Sequence, residues 1–375
     1  MDQVRIGIVG LGNMGSGHAR YLSKGEVEGA VLTAVCDGDR QLLERVAGEC
    51  GEGVAAFDDA SAFLSSGLID GVLICTPHYS HPPLAIEAFR NGLHVLIEKP
   101  AGVYTKQVRE MNEAAAATDK IFGIMYNQRT NPMYRKLREL IRQGELGEIR
   151  RLNWIITDWY RPQHYYNSGG WRATWAKEGG GVLMNQAPHQ LDLWQWIAGM
   201  MPTRIRAFCS FGKRRDIEVE NEVTAYAEYA NGATAVFITS TCETPGTNRL
   251  EVTGDRGKAV VEEGRLRFWQ LDVSEPEFNR TAKESFAAPG KREIPIELEP
   301  GDGEQHIGIT RDWVRAILTG SPLLAPGEEG IRGLTLANAM LLSTWTDGWA
   351  ELPLDEDLFY RLLQEKIQAS GAVRA

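Results

Sequence analysis

The sequence predicts an α/β protein with two domains: an N-terminal, doubly wound parallel sheet, and a C-terminal α+β domain with a large, open, mostly antiparallel sheet. Short apolar runs alternate with helical segments over residues 1–126, which is typical of a parallel sheet covered by helices. Strand-like runs then follow one another from 204 to 269, which is typical of an antiparallel sheet. Because 375 residues are many for one hydrophobic core, we expect domains at 1–126 and 127–375.

The composition is that of an ordinary globular protein, with 43% hydrophobic and 24% charged residues. A net charge of -10 argues against a protein that binds nucleic acid. The chain enters a strand-like run almost at once and has no apolar run of membrane-spanning length, so we expect no signal peptide, no membrane partner and a cytoplasmic location. Five cysteines without a Cys-x-x-Cys pair predict neither a disulfide framework nor a metal site.

The first strand, at 4–9, runs into Gly10, Gly12 and Gly15 and then into a helical pattern. In such a Gly-x-Gly-x-x-Gly turn, the first glycine allows a tight turn and the second lets a pyrophosphate approach the backbone. The third lets the helix pack on the strand, although three glycines could also mark no more than a turn.

Asp37 strengthens the interpretation of this turn. It follows a second strand, 30–36, roughly 20 residues beyond the glycines, where a carboxylate can accept hydrogen bonds from an adenosine ribose. Together these residues predict a Rossmann domain that binds a dinucleotide. NAD is favoured because a carboxylate repels the 2′-phosphate of NADP, while the nearby Arg40 leaves some room for NADP.

The rest of the first domain continues the alternation of strands and helices. Strands are expected at 54–57, 69–75, 94–97 and 121–126, and helices at 40–46, 60–64 and 106–117. The carboxyl ends of parallel strands form the edge at which open α/β sheets bind ligands. Polar segments follow two of these strands, at 76–81 and at 98–100.

Each polar segment allows two interpretations. The segment 76–81 could contact a cofactor, or its His81 could simply begin a helix before Pro82. Lys99, between Glu98 and Pro100, could polarise a substrate oxygen, or it could form an ordinary surface pair with the glutamate.

The second domain is expected to begin with a helix at 131–143 and a strand at 149–160. The segment that follows mixes aromatic and polar side chains, which can stack on sugar rings and hydrogen-bond hydroxyl groups. Aromatic segments more often belong to a core, but interleaved polar residues such as Asp158 and Arg161 make full burial of this one unfavourable.

Gly179-Gly180-Gly181 is expected to open a helical segment that carries Asn185 and His189. Four residues apart on a regular helix, these two side chains would share a face, although Pro188 can distort the turn. A lone histidine on an apolar helix is usually structural, but histidine also suits proton transfer near neutral pH.

Further strands are expected at 204–210, 223–229, 233–240, 249–252, 259–262 and 266–269, a loop or weak strand at 275–300, and helices at 307–318, 331–349 and 356–369. We expect the C-terminal helices, including the last one, to pack back on the first domain. An apolar outer face of the antiparallel sheet would form a natural dimer surface.

Several motifs occur in a fixed order: GLGNMG at 10–15, Asp37, TPHYSH at 76–81, EKP at 98–100, YNQR at 126–129, WR at 171–172, GGGVLMNQAPHQLD at 179–192 and EGIRGLTLANA at 329–339. In their order and spacing the chain resembles the glucose-fructose oxidoreductase, inositol dehydrogenase and rhizopine-catabolism (Gfo/Idh/MocA) family of NAD(P)-dependent oxidoreductases. The resemblance covers nearly the whole chain.

The resemblance implies two sets of site residues. The cofactor set is Gly10, Gly12, Asn13, Met14, Asp37, Arg40, Thr76, Pro77, His81, Glu98, Lys99, Gln128, Trp171 and Arg172. The substrate set is Lys99, Tyr126, Asp158, Tyr160, Asn185 and His189. His189 matches the family's general base, whereas Asn185 stands where many members carry aspartate, so Lys99 and His189 can divide the proton transfer differently. The resemblance also implies a homodimer or homotetramer formed through the antiparallel sheet.

From these residues we expect an NAD-dependent oxidoreductase that moves hydride between the nicotinamide and a secondary ring hydroxyl of a sugar, glycoside or cyclitol. His189 would take the alcohol proton, Lys99 would polarise the oxygen and Asn185 would orient it. The aromatic segment favours a glycoside, including oxidation at C3 of a glucoside. Two alternatives stay open: an enzyme that keeps NAD bound and cleaves glycosides through transient oxidation, and a nucleotide-sensing protein without catalysis.

Overall fold

The computed structural model describes residues 2–373, with side chains up to Ser370. The described chain forms two compact units. The first contains the chain through Thr130 together with 176–179 and 303–334, and the second contains 131–175, 180–302 and the chain from Thr335 onwards.

The first unit contains a six-stranded parallel sheet, in the order β3-β2-β1-β4-β5-β6. Its strands are β1 (Val4–Val9), β2 (Ala30–Cys36), β3 (Ala55–Phe57), β4 (Gly71–Ile74), β5 (His94–Ile97) and β6 (Phe122–Ile124). Its helices include α1 (Asn13–Ser23), α2 (Arg40–Cys50), α3 (Ala60–Leu64), α4 (His81–Arg90) and α5 (Thr105–Ala116). The predicted doubly wound Rossmann sheet is confirmed, and its strand order reverses between β1 and β4, where such sheets bind ligands.

The second unit contains a nine-stranded sheet in the order β14-β13-β12-β11-β7-β10-β9-β8-β15. The elements from 132 to 294 are α6 (Pro132–Arg142), β7 (Ile149–Ile156), α7 (Gln163–Asn167), α8 (Pro188–Ala198), β8 (Arg204–Phe211), β9 (Glu220–Glu228), β10 (Thr234–Ser240), β11 (Asn248–Gly254), β12 (Gly257–Glu262), β13 (Arg265–Leu271), α9 (Glu275–Thr281) and β14 (Lys291–Ile294). Among the described strands, β7 and β10 pair in parallel and every other pair is antiparallel, which confirms the mostly antiparallel sheet.

The last elements are α10 (Gln305–Thr319), α11 (Gly330–Trp345), β15 (Ala350–Glu351) and α12 (Glu356–Val373). The segment 303–334 returns to the first unit because Ile124 N donates to Ala325 O at 3.1 Å and Gln305 N donates to Thr130 Oγ1 at 2.9 Å.

The final helix, α12, belongs to the second unit. Its Phe359 stacks on Trp345 with ring centroids 5.2 Å apart.

Three predicted elements differ from the structure. The strand β7 ends at Ile156 rather than 160, because its pairing with β10 and with β11 stops at that residue. The stretch 275–300 is not only loop or weak strand, since it holds α9 as well as β14. The helix expected from Gly179 begins only at Pro188, since the backbone before it forms turns that bond to β9.

Candidate active site

The glycine turn after β1 leaves open space at the start of α1. Gly10 has φ +87°, and a Cβ there would lie 2.7 Å from the backbone of Cys75 and Thr76. A Cβ at Gly12 would meet no heavy atom within 4 Å. Because α1 begins at Asn13, its first backbone N–H groups face this space, which fits the pyrophosphate of a dinucleotide.

Asp37 is held beside the same turn. Its Oδ2 accepts a hydrogen bond from Leu11 N at 2.6 Å, and its Oδ1 accepts one from Asp39 N at 2.9 Å. Each carboxylate oxygen keeps further acceptor capacity, which suits ribose hydroxyl groups. Arg40, whose positive charge could favour the 2′-phosphate of NADP, donates from Nη2 to Asp58 Oδ2 at 2.8 Å.

The polar segment after β4 divides between two roles. Thr76 Oγ1 is buried and has no hydrogen-bond partner among the described residues, so a ligand group could satisfy it. His81 is fully buried at the start of α4, with its ring nitrogens 2.8 Å from Pro100 O and 2.7 Å from Thr76 O. Burial lowers the pKa of His81. This imidazole joins two loops of the sheet edge, which fits the structural interpretation of the histidine.

Lys99 follows β5 at the ligand-binding edge of the sheet. The ladder continues to this point, because Glu98 N donates to Ile74 O and Met125 N donates to Ile97 O, both at 2.8 Å. The side chain of Glu98 is buried, whereas Lys99 is partly exposed. The lysine is therefore the member of the Glu98-Lys99 pair that a ligand can reach.

Two other predicted residues follow β6. Tyr126 is 2% exposed and its hydroxyl donates to Gly330 O at 3.4 Å, which fits a core position better than a substrate contact. Gln128 is partly exposed and donates from Nε2 to Gln305 Oε1 at 3.3 Å.

In the second unit, Asn185 and His189 stand out by their exposure. Every residue from 180 to 198 is buried except these two, which are partly exposed. The expected shared helical face is wrong, because α8 begins at Pro188 and Asn185 lies in the preceding turn, with its N donating to Gly181 O at 2.9 Å. Both side chains are nevertheless accessible to a ligand.

Tyr165 connects several of these residues. Its hydroxyl accepts hydrogen bonds from Arg172 Nη1 at 2.6 Å and Gln186 Nε2 at 3.1 Å, and it donates to Asn185 Oδ1 at 3.3 Å. The guanidinium of Arg172 lies 4.4 Å from the centroid of the Tyr165 ring and 4.6 Å from that of Trp171. Tyr165 lies in the aromatic and polar segment and Gln186 in the motif at 179–192, but neither was among the predicted site residues.

Glu220 fixes the turn that carries Asn185. This residue is fully buried at the start of β9, and its Oε1 accepts hydrogen bonds from Gly181 N at 2.8 Å and Leu183 N at 3.0 Å. A Cβ at Gly181 would overlap the backbone oxygen of Glu220. No motif in the sequence pointed to this glutamate.

The remaining predicted substrate residues are exposed. Asp158 lies just beyond β7, and Tyr160 is 44% exposed with the guanidinium of Arg215 5.2 Å from its ring centroid. Over residues 2–373, no group of three or more metal-ligating side chains is gathered. No helix in the described part of the chain is long and apolar enough to cross a membrane.

Comparisons with known proteins identify the family of the chain. Residues 4–126 match the family model described as an oxidoreductase family with an NAD-binding Rossmann fold, and residues 134–260 match the Gfo/Idh/MocA C-terminal domain. The rhizopine catabolism protein MocA of Rhizobium meliloti is 30% identical over 344 residues, which are 90% of this chain and 94% of that protein. Inositol 2-dehydrogenase of Rhizobium meliloti strain 1021 is 25% identical over 362 residues, 91% of this chain and 96% of that protein.

A solved structure shares the same architecture. The WlbA dehydrogenase from Bordetella pertussis, in complex with NADH and UDP-GlcNAcA, superimposes with a TM-score of 0.78 and 25% identity, covering 94% of this chain and 100% of that chain. The open glycine turn, Asp37 and the buried Thr76 hydroxyl fit the same kind of cofactor. The chain therefore belongs to the Gfo/Idh/MocA family of oxidoreductases, with an NAD-binding Rossmann domain.

Proposed function

We propose that this enzyme transfers hydride between NAD and a ring carbon that bears a secondary hydroxyl group, in a sugar, a glycoside or a cyclitol. The observation that carries the proposal is the exposure of Asn185 and His189 in an otherwise buried segment, 180–198. An imidazole and an amide that are kept accessible there suit a hydroxyl substrate. The names of the relatives, an inositol dehydrogenase among them, support the same substrate class.

The first unit would hold the cofactor with the glycine turn, Asp37 and Thr76. When bound, NAD supplies the acceptor for the hydride at C4 of its nicotinamide. Lys99 would donate a hydrogen bond from its ammonium group to the substrate oxygen and stabilise negative charge that develops there.

The second unit would supply the proton acceptor. The neutral imidazole of His189 would take the hydroxyl proton as the carbon loses its hydride. Asn185 would orient the hydroxyl without adding charge, and its Oδ1 is itself oriented by Tyr165 and Gln186. An aspartate at this position would add a negative charge that stabilises imidazolium; the asparagine leaves that charge out.

The substrate class is proposed from the aromatic and polar segment beyond β7. Tyr160, 44% exposed, and Trp171, stacked with Arg172, offer ring faces on which a sugar can lie. A glycoside can cover more of these ring faces than a small polyol can. Oxidation at C3 of a glucoside is one such reaction.

A substrate panel tests the proposal. Purified protein is incubated with NAD, and separately with NADP, and with inositols, free sugars and glucosides, while the absorbance of reduced nicotinamide is followed. We expect reduction of NAD with at least one ring substrate and a weaker response with NADP. No reduction with any substrate would contradict the proposal. Release of aglycone without net reduction would identify the alternative enzyme that cleaves glycosides with bound NAD.

We also propose that two or four copies of the chain associate through the exposed face of the nine-stranded sheet. The strand register places Phe208, Thr224, Ile238, Ile155 and Arg249 in one row across five strands. Phe208 is 61% exposed and Ile155 is 36% exposed. Side chains of this kind in a contiguous row are typical of a protein interface.

A further inference from the structure

A buried hydrogen-bonded pair lies directly behind Lys99. His18 of α1 and Glu98 at the end of β5 are 1% and 5% exposed, and His18 Nε2 lies 2.7 Å from Glu98 Oε1. The other carboxylate oxygen, Oε2, accepts a hydrogen bond from Lys99 N at 3.2 Å. Glu98 is therefore held on one side by an imidazole and on the other by the backbone of the lysine.

The pair continues into a chain of hydroxyl groups. His18 Nδ1 lies 2.6 Å from Tyr21 Oη, and Tyr21 Oη lies 2.7 Å from Thr310 Oγ1. Thr310 Oγ1 in turn lies 3.0 Å from His306 O, to which it can donate. All of these residues belong to the first unit.

The hydrogen count of this chain allows two arrangements. If Thr310 donates to His306 O, Tyr21 must donate to Thr310, and His18 must donate from Nδ1 as well as from Nε2, so that the imidazole is cationic. If both hydroxyl groups instead rotate so that Thr310 donates to Tyr21, Tyr21 donates to His18 Nδ1 and the imidazole is neutral. In both arrangements Nε2 carries the hydrogen that faces Glu98, so the carboxylate always has a donor.

This donor keeps a buried carboxylate ionised. Burial by itself raises the pKa of Glu98, but the hydrogen bond and charge of His18, with the charges of Lys99 and His306, bring it down to about 2. The interaction is mutual, so a negative charge on Glu98 favours the ammonium form of Lys99.

The other titratable groups beside the pair do not supply this charge. Burial lowers the pKa of His306 and of His81 and raises the pKa of Cys75 and of Tyr21. The thiol and the phenol therefore stay neutral and the imidazoles supply no negative charge, which leaves Glu98 as the anion next to Lys99.

We propose that His18 is a positioning residue for the reaction: by donating to Glu98 it keeps a fixed negative charge behind Lys99, and this charge holds Lys99 as an ammonium group in the working pH range. The inference rests on the proposed function in giving Lys99 a part in the chemistry. No residue of the buried pair needs to touch the substrate.

Competitive labelling of amines tests the inference without turnover. The full-length protein is acetylated briefly at a series of pH values, and the fraction of modified Lys99 is measured by mass spectrometry, which gives the midpoint at which this amine loses its proton. In Glu98→Gln, which has the same shape but no charge, we expect the midpoint to fall by about one pH unit or more. In His18→Leu, which removes the hydrogen-bond donor, we expect a fall in the same direction, because the buried Glu98 then takes up a proton.

The matched control is His94→Leu. His94 lies at the opposite end of β5 and accepts a hydrogen bond from Ile121 N at 2.9 Å, so this variant also replaces a histidine that bonds within the sheet. We expect the Lys99 midpoint to stay unchanged in the control. A midpoint that is unchanged in His18→Leu as well, or that shifts equally in the control, would overturn the role of His18.

A second variant guards against misfolding. Tyr21→Phe keeps the ring and removes only the hydroxyl that faces His18, so we expect a smaller fall of the Lys99 midpoint. An unchanged midpoint in a folded Tyr21→Phe protein would show that the hydroxyl of Tyr21 has no part in holding His18 against Glu98. In a protein that shows dehydrogenase activity, the alkaline limb of the pH–rate profile should move with the midpoint. If the substrate panel fails, the labelling still decides whether His18 sets the charge of Lys99, so the two failures are distinguishable.

Discussion

At the scale of single residues, the proposed contact of Asp37 with the ribose predicts a preference for NAD. Its carboxylate accepts hydrogen bonds from Leu11 N and Asp39 N and is held against the glycine turn. A fixed carboxylate can accept hydrogen bonds from ribose hydroxyl groups and repels a 2′-phosphate. Arg40, which could favour that phosphate, is paired with Asp58 instead.

We therefore predict that Asp37→Ser raises the KM for NAD by about 10- to 100-fold, because hydrogen bonds to a charged group contribute about 1.5–3 kcal/mol. The ratio of kcat/KM for NAD to that for NADP should fall. The control is Asp39→Asn, which also removes one negative charge but keeps the oxygen that caps α2 by accepting from Gln41 N and Leu42 N. Equal effects of the two variants would show that general charge, rather than ribose binding, sets the preference.

The lowered pKa of Glu98 predicts that the free energy of unfolding decreases at acidic pH. The pKa of Glu98 is lowered from 4.5 to about 2 in the folded protein, so the folded state binds fewer protons than the unfolded state over that interval. This contribution to the free energy of unfolding is complete above pH 4.5 and is lost as the pH falls towards 2. It amounts to at most about 3 kcal/mol.

Urea unfolding of wild type and Glu98→Gln at a series of pH values measures this contribution. We expect the difference in free energy of unfolding between the two proteins to shrink as the pH falls through this interval. A difference that is independent of pH would mean that Glu98 is not ionised in the folded protein.

At the scale of elements, the turn before α8 depends on β9. Glu220 Oε1 accepts from Gly181 N and Leu183 N, and the backbone of Glu220 accepts from Val182 N at 2.9 Å. These bonds give a fixed shape to the turn that presents Asn185, which a free glycine-rich segment would lack.

We predict that Glu220→Ala lowers kcat by about 10- to 100-fold through loss of this alignment and lowers the melting temperature, while the KM for NAD changes little. The control is Glu222→Ala, two residues along the same strand, which removes only a partly exposed pair with Lys213. Surface pairs contribute about 0–1 kcal/mol, so this variant should behave as wild type. A fall in kcat that is equally large in the control would contradict the role of Glu220.

Local patterns predicted the elements of the first unit well, and tertiary pairing explains where they failed elsewhere. The glycine turn, Asp37 and the position of Lys99 follow from strand periodicity and glycine spacing, which are local. The ends of β7 and the start of α8 depend on partners far along the chain, namely β11 and Glu220. Pro276 and two acidic residues mark the start of α9, a signal that the sequence analysis left unused.

At the scale of the whole molecule, the chain leaves the first unit at Thr130 and returns to it at 176–179 and again at 303–334. Apolar periodicity could show that 305–319 is helical, but it could not show that this helix joins the first unit, because that depends on bonds such as Gln305 N to Thr130 Oγ1. The Tyr165–Arg172–Gln186 contacts have the same origin, since side chains 21 residues apart meet only after folding.

The exposed row on the nine-stranded sheet predicts the oligomeric state. Phe208→Asp places a charge at the most exposed apolar side chain of this row, so we expect the dissociation constant of the oligomer to rise by about 100-fold or more, because a buried unpaired charge is costly. Sedimentation velocity measures it. The control is Phe286→Asp, at a fully exposed phenylalanine outside the sheet. A wild-type protein that is monomeric at micromolar concentration would contradict the proposed association.

The central claim is that Lys99 and His189 perform the chemistry on a substrate hydroxyl. Rapid-mixing measurement of NAD reduction in a single turnover tests it most directly, with the best substrate of the panel and the variants Lys99→Met and His189→Asn. We predict that each variant lowers the rate of reduction by about 100- to 10,000-fold, while NAD binding to His189→Asn stays within a few-fold of wild type. Reduction at the wild-type rate in either variant would contradict a catalytic role for that residue.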